Sequence, residues 1–425
     1  MGEQEYLELL ESQLRCKKAR EMVMEEVKAH IEDQREEFLK EGMSTQEALE
    51  EAVREMGDPV ETGVMLDRIH RPQMEWKFLT LILGISLLSM VMQGILGGRI
   101  LQVAFSLVGI LVMFGVCFLD YSVLGKYANA YTVGFILLSF ILIFFLSTEI
   151  NGGKMSVEIG PFTLSLWSFM HLYPPIYGAF LYSLRNGGYG NLVRSVLGIL
   201  PVIFLILYMP SISLACNMLF LLLIMLSIAI GRGWMKVSKK GSLVVLWGAV
   251  TALPAVLLFV MYKAGRLAPY QVERIKRFFS LQFGDAVNVN MGGASYDFQN
   301  STQYVITYLM QYYGTLAGAV IVALLVYVIF RIFRISLQQK NQLGMMVGIG
   351  CGLALGMQVW FYTLQNLGIV KGYTVFLPLF SSGGSGTLVA YILLGLVLSI
   401  HRYQNVMPSV PKWKKRGIPG GACEK

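Results

Sequence analysis

Between Phe78 and Arg402 the chain reads as about ten long apolar stretches, and Asp and Glu nearly vanish there: only Asp120, Glu149, Glu158, Glu273, Asp285 and Asp297 occur in that interval. A bilayer core is crossed by ~20 consecutive, mostly apolar helical residues, and each stretch meets or approaches that length. Lipid offers backbone N–H and C=O groups no partners, so a spanning segment is a helix or part of a closed barrel. The runs lack the period-two alternation of strands, which leaves helices. The expected spans are 78–96, 101–119, 131–147, 162–184, 192–209, 211–230, 243–262, 304–330, 343–365 and 385–401. The fourth and fifth contain proline. The fold class is an all-α polytopic membrane protein of about ten transmembrane helices plus a small cytoplasmic helical domain.

Charge divides the chain in two. Residues 1–72 hold 19 of the 27 acids and 10 of the 35 bases; the rest holds 8 acids and 25 bases. The net charge of +8 is therefore membrane-edge charge and carries no nucleic-acid signal. The loops confirm the division. Lys126, Arg185 with Arg194, the group Arg232, Lys236, Lys239 and Lys240, and the group Arg331, Arg334 and Lys340 fall on one side. Short positive loops stay in the cytoplasm, so an even number of spans places both termini there. The connection 263–303 is outer by this count yet carries Lys263, Arg266, Arg274, Lys276 and Arg277. Basic charge set against the rule points to phosphate, on a ligand or on anionic lipid headgroups.

Five scattered cysteines (Cys16, Cys117, Cys216, Cys351, Cys423) show neither a CxxC pair nor a disulfide framework, and four scattered histidines give no metal-ligand spacing. The head is acidic and helical, unlike a signal peptide. Met24, Val27, Ile31 and Phe38 recur at helical spacing within 17–42, and Ser44 with Glu47 forms a capping box. Ala48, Leu49, Ala52, Val53 and Met56 share the face of the next helix; Gly57 can end it and Asp58-Pro59 can start another. The domains expected are a cytoplasmic helical prefix over 1–72, a membrane domain over 73–403 and a basic cytoplasmic tail over 404–425. The stretch EVKAHIEDQREEFLKEGMSTQEALEEAVREMGDP resembles the helical prefix domain found ahead of many bacterial permeases, which implies a three-helix interaction module.

Three outer segments carry a further resemblance. In APYQVERIKRFFS, the residues Tyr270, Gln271, Arg274, Ile275 and Phe278 fall in register with a Tyr-Gln-x-x-Arg-Ile-x-x-Phe signature. In FLPLFSSGGSGTLVAYILLGLVLSIHRY, Leu377, Pro378, Ser381, Gly383, Gly384 and Ser385 match a Leu-Pro-Phe-x-Ser-x-Gly-Gly-Ser block. In EINGGKMSVEIGPFTLSLW, Asn151 and Gly152 match the start of an Asn-Gly-Ala-Arg-Arg-Trp-Ile loop. These motifs, running along the chain from Asn151 through Tyr270 to Leu377, resemble the SEDS family (shape, elongation, division and sporulation), the FtsW, RodA and SpoVE group. The resemblance implies a bacterial cell membrane and polymerisation of undecaprenyl-pyrophosphate-linked disaccharide into peptidoglycan at the outer face. Cell division, cell shape or sporulation would be the process served, with a transpeptidase or regulatory protein as partner. It implies no cofactor, with a divalent cation as the alternative for a catalytically active chain. The residue chemistry agrees. Arg274, Lys276 and Arg277 beside Phe278 and Phe279 suit an interfacial segment facing a pyrophosphate. Gly383, Gly384 and Ser385 precede a helix start, which favours an anion or serves close helix packing. Tyr270, Gln271, Asn151 and Ser381 complete the substrate-binding set.

The resemblance fails where the chemistry should be. Active members carry an Asp eleven residues before a glycine; counting back from Gly314 through TQYVITYLMQYYG places Gln303 there. A neutral amide cannot act as a general base. Gln311 and Tyr312 replace a following pair of glutamates, Met155 and Ser156 replace Arg-Trp, SLWS (165–168) replaces Gln-Pro-Ser-Glu, and YMPSISLA (208–215) keeps only Pro210 of a Gln-Pro-Asp-x-Gly motif. GASYDFQNS (293–301) runs almost directly into the eighth span, so the loop is shortened. Asp297, in that loop, is the best substitute carboxylate, against the alternative of an ordinary hydrated loop residue. Two classes stay open: a divergent member with weak or no polymerase activity, which the departures favour, and an active glycosyltransferase with a displaced base at Asp297. A transporter of lipid-linked precursor ranks below both, because the spans lack a line of intramembrane charge.

Overall fold

The computed structural model describes residues 2–95, 100–150, 153–160, 162–209, 211–264, 304–370 and 376–406. It divides into two compact units: Met1–Glu75 with Gln339–Gln342 and Leu398–Lys425, and Trp76–Gln338 with Leu343–Val397.

The first unit holds four helices ahead of the membrane part: α1 (Glu3–Gln13), α2 (Lys17–Lys40), α3 (Thr45–Glu55) and α4 (Pro59–His70). The expected three-helix module gains α1, whose Tyr6, Leu7 and Leu10, with Leu14 just past its end, recur at helical spacing. Tyr6, Leu7, Leu10 and Leu14 enter the core against Val23, Val27 and Ile31 of α2 and Ala52 and Val53 of α3. The four-residue spacing of the α2 positions puts them on one stripe. The capping box is present: the Glu47 N–H donates to Ser44 Oγ at 3.4 Å and the Ser44 N–H donates to Glu47 Oε2 at 3.2 Å. The Ser44 hydroxyl first, and then the Ser44 backbone N–H, hold the Glu47 carboxyl below its usual range. Gly57 ends α3 in the left-handed region (φ 76°), where a Cβ is costly, and Asp58 Oδ2 accepts the Glu61 N–H at 3.0 Å to start α4. At the other end of this unit the Gln73 N–H donates to the Arg402 carbonyl at 3.1 Å, and His401 Nε2 lies 3.9 Å from Glu75 Oε2.

The second unit is the membrane domain. Among the described residues eight helices are long and apolar enough to cross a bilayer. They are α5 (Trp76–Ile95), α6 (Ile100–Phe118), α8 (Ala128–Ile141, continued by a π-helical turn over Leu142–Leu146), α11 (Tyr189–Tyr208), α12 (Ile212–Gly231), α15 (Thr315–Leu337), α16 (Gln342–Asn366) and α17 (Gly384–Arg402). A short α7 (Ser122–Lys126) joins α6 to α8. The 25-residue α13 (Lys239–Lys263) carries charge only at Lys239, Lys240 and Lys263. Burial ranks the helices: α16 and α17 are 78% and 72% buried over their spans, whereas α6, α8 and α15 are each 28% buried. Among the described residues, α16 and α17 lie in the interior of this unit, and α6, α8 and α15 lie nearer its periphery.

Two expected spans differ from continuous helices. The strands β1 (Thr148–Ile150), β2 (Gly153–Ile159) and β3 (Phe162–Ser165) form a three-stranded antiparallel sheet, paired Thr148 with Ser156 and Ser156 with Ser165. The fourth span then becomes β3, a short α9 (Leu166–Met170) and α10 (Tyr173–Ser183). Pro174 and Pro175 lie at the start of α10, where their missing N–H groups cost nothing and where a helix cannot run through from upstream. The eighth span breaks at Gly314 (φ 85°) into α14 (Val305–Tyr313) and α15. Small residues let α10 approach α16: a Cβ on Gly178 would lie 2.8 Å from the Met346 carbonyl oxygen, and one on Gly350 would lie 2.8 Å from the Pro174 carbonyl.

Candidate functional site

The segment Leu377–Ser385 is a buried, side-chain-clamped loop leading into α17. It closes on itself first. The Ser381 N–H donates to the Leu377 carbonyl at 3.0 Å, and Ser381 Oγ accepts the Leu377 N–H at 3.0 Å. Leu379 sits at φ 70° and is 2% exposed. A leucine in the left-handed region costs about 1–3 kcal/mol and persists only where its surroundings over-determine it.

Those surroundings come from α5 and α6. Ser89 Oγ donates to the Leu379 carbonyl at 2.6 Å, and Gln93 Nε2 donates to the Phe380 carbonyl at 3.0 Å. Gln102 reaches three groups: its Oε1 accepts the Gly383 N–H at 2.9 Å, and its Nε2 donates to Thr387 Oγ1 at 2.9 Å and to the Ser381 carbonyl at 3.3 Å. From the sheet, the Ser165 N–H donates to Ser385 Oγ at 3.1 Å. From α16, the Tyr362 hydroxyl engages Ser381 and accepts the Val305 N–H at 2.8 Å. Asn366 Oδ1 accepts the Thr307 N–H at 3.0 Å. The first turn of α14, which starts two residues after Gln303, is thereby fastened to the same helix that meets the loop.

The glycines of the loop have a packing reason. A Cβ on Gly384 would lie 2.7 Å from the Phe105 ring, and one on Gly383 would lie 3.0 Å from the Phe376 ring. The Gly383 N–H is already taken by Gln102, so of the three residues proposed to greet an anion it is the least available. The first turn of α17 still presents the N–H groups of Gly384, Ser385 and Gly386, which a helix start leaves without intrahelical partners.

Of the residues singled out from sequence, Ser381, Gly383, Gly384 and Ser385 are brought together here. Asn151, Tyr270, Gln271, Arg274, Lys276, Arg277, Asp297 and Gln303 lie outside the described residues. Sequence reading missed Ser89, Gln93, Gln102, Tyr362 and Asn366. For Gln93 and Gln102 the signal was an amide inside an apolar span, where an unpaired polar group is costly. Among the described residues no three His, Cys, Asp or Glu side chains cluster as metal ligands.

The profile of the FtsW/RodA/SpoVE cell cycle protein family matches residues 283–406, which includes the clamped loop. The chain is similar to the probable peptidoglycan glycosyltransferase FtsW of Nitrosomonas europaea, 23% identical over 67% of this chain and 76% of that one. It is similar to the protein of the same name from Nitrosococcus halophilus, 24% identical over 75% of this chain and 85% of that one. Among solved structures it superposes on a chain of a peptidoglycan synthase complex with a TM-score of 0.64 at 23% identity, covering 77% of this chain and 98% of that one. The Thermus thermophilus rod shape determining protein RodA superposes with a TM-score of 0.57 at 21% identity, covering 78% and 97%. The chain is a multi-pass membrane protein whose residues 283–406 match the FtsW/RodA/SpoVE cell cycle protein family.

Proposed function

We propose that this protein binds undecaprenyl-pyrophosphate-linked disaccharide and polymerises it weakly or not at all, acting in wall assembly as a divergent member of its family. A general role in peptidoglycan assembly comes with the family; the reading of substrate and activity rests on the residues. The observation that carries it is a contrast within one region. The loop Leu377–Ser385 is kept and clamped by Ser89, Gln93 and Gln102, whereas the position eleven residues before Gly314 holds Gln303 and no carboxylate. A binding frame without a general base supports capture of the lipid-linked substrate, or of a transpeptidase or regulatory partner, more than it supports turnover. On this reading both termini lie in the cytoplasm, and the prefix acts as an interaction module.

The second reading, an active glycosyltransferase, is favoured by one observation: Asp297 stands six residues before Gln303 in the loop that resembles the family's own. On either reading Arg274, Lys276 and Arg277 supply cations to the pyrophosphate. Charge-assisted contacts are worth roughly 1.5–3 kcal/mol each. Replacing all three with Gln should weaken binding of lipid-linked disaccharide by at least tenfold in a reconstituted bilayer. Unchanged affinity would remove the substrate-binding role from this segment.

A further inference from the structure

The outer side of α4 carries four uncovered apolar residues. Val60, Val64, Met65 and Ile69 are 43%, 53%, 60% and 53% exposed. At 100° per residue Val60 and Val64 line one edge of that side and Met65 and Ile69 the other, with Glu61 and Arg68 between them. The opposite side, with Pro59, Gly63 and Leu66, meets the core. Elsewhere in the head the large apolar residues are mostly buried; Leu9 and Met43, at 40% and 38%, are the other exposed ones. A small domain that buries its other apolar stripes and leaves this one open has a use for it.

The occupant is indicated by where α4 is held and by its charge. Five residues separate His70 from Trp76, which opens the first membrane span, so an extended connector covers at most ~18 Å. Within the first unit that connector is fixed to the end of the last span, through the Gln73 N–H on the Arg402 carbonyl and the Glu75–His401 pair. The C-terminal end of α4 is therefore kept at the membrane edge. Arg68 and Arg71 are exposed there and make no ion pair among the described residues, while Asp67 accepts the Arg15 N–H at 2.9 Å. Apolar residues beside unpaired cations, next to a bilayer, are what an interfacial helix presents; such helices sink ~5–10 Å into the headgroup boundary. Anionic headgroups attract bases held near the bilayer surface.

We infer that α4 lies in the membrane interface with Val64, Met65 and Ile69 against lipid and Arg68 and Arg71 among anionic headgroups, so that the bilayer itself covers the face that the head leaves open. The test uses the full chain in nanodiscs with anionic lipid, Cys16, Cys216 and Cys423 replaced by Ser, and an environment-sensitive fluorophore on Met65→Cys or, as the control, on Glu50→Cys. At 65 the expected result is blue-shifted emission, quenched by nitroxide-bearing lipid and spared by aqueous iodide, with the reverse at 50. Replacing the anionic lipid with neutral lipid should shift the 65 label toward water. Iodide quenching at 65 equal to that at 50 would overturn the inference. Shielding from both quenchers would overturn it too, since it would mean that protein, a second copy or a partner, covers the face.

Discussion

Gln102 and Phe105 show how a few side chains set the shape of the candidate site. One amide satisfies groups on Ser381, Gly383 and Thr387 together, and one ring fills the space that a side chain at residue 384 would need. If Gly384 serves chiefly to admit that ring, Gly384→Ala overpacks the contact at a cost of about 1–3 kcal/mol. The expected outcome is a lower apparent melting midpoint in detergent for Gly384→Ala, substantially restored when Phe105→Leu is added. A midpoint that the second substitution fails to raise would mean that the glycine is needed for something other than room. The same scale explains the strained Leu379: its carbonyl is held by Ser89 and its neighbours by Gln93, so the left-handed conformation is imposed from α5 and α6.

At the level of elements, the capping box of α3 gives a direct check. Losing a Ser cap costs about 1 kcal/mol, so Ser44→Ala should speed amide exchange across Thr45–Glu55 about fivefold while leaving α2 nearly unchanged. The carboxyl of Glu47 is held below its usual range. Its stabilising contribution is thus present above the ordinary carboxylate pKa and is lost as pH falls through the lowered folded value. Acidification should therefore loosen α3 in the parent chain more than in Ser44→Ala; equal responses would show that the box does not couple to the helix. Elements of this kind were legible from residues alone: the α2 stripe, the cap, Gly57 and Asp58-Pro59 all fall where their local chemistry puts them. The membrane spans were legible for the same reason, since length and apolarity decide them. What escaped was non-local. The three strands between Thr148 and Ser165 are short and gain stability by pairing with one another, and Gly314 breaks an apolar run that otherwise reads as one span. In the site, the loop signature could be read as a string, but the amides that clamp it come from helices nearly 300 residues away in sequence and look like ordinary polar interruptions of a span.

For the molecule as a whole, topology and chemistry are separate questions. An outer placement of the connection 263–303 requires that cysteines introduced at 285–300 react with an impermeant reagent from outside, and that those at 232–240 react only from the cytoplasm. Labelling of 285–300 from inside would reverse the orientation. The chemical question turns on a single amide. Ser381, Gly383, Gly384 and Ser385 are retained in a rigid frame, and the profile match reaches across it, yet Gln303 cannot take a proton from a sugar hydroxyl. The most direct measurement is glycan-strand formation from purified lipid-linked disaccharide by the parent chain, with Asp297→Ala and Gln303→Asp run in parallel. The account predicts little or no polymer from the parent chain and no change with Asp297→Ala. It predicts at most partial activity from Gln303→Asp, because the Arg-Trp and Gln-Pro-Asp-type residues and the full loop are missing as well. Robust polymerisation that Asp297→Ala abolishes, a loss of the ~10²–10⁴-fold that a general base supplies, would establish the displaced-base reading. Robust polymerisation that survives Asp297→Ala would contradict both.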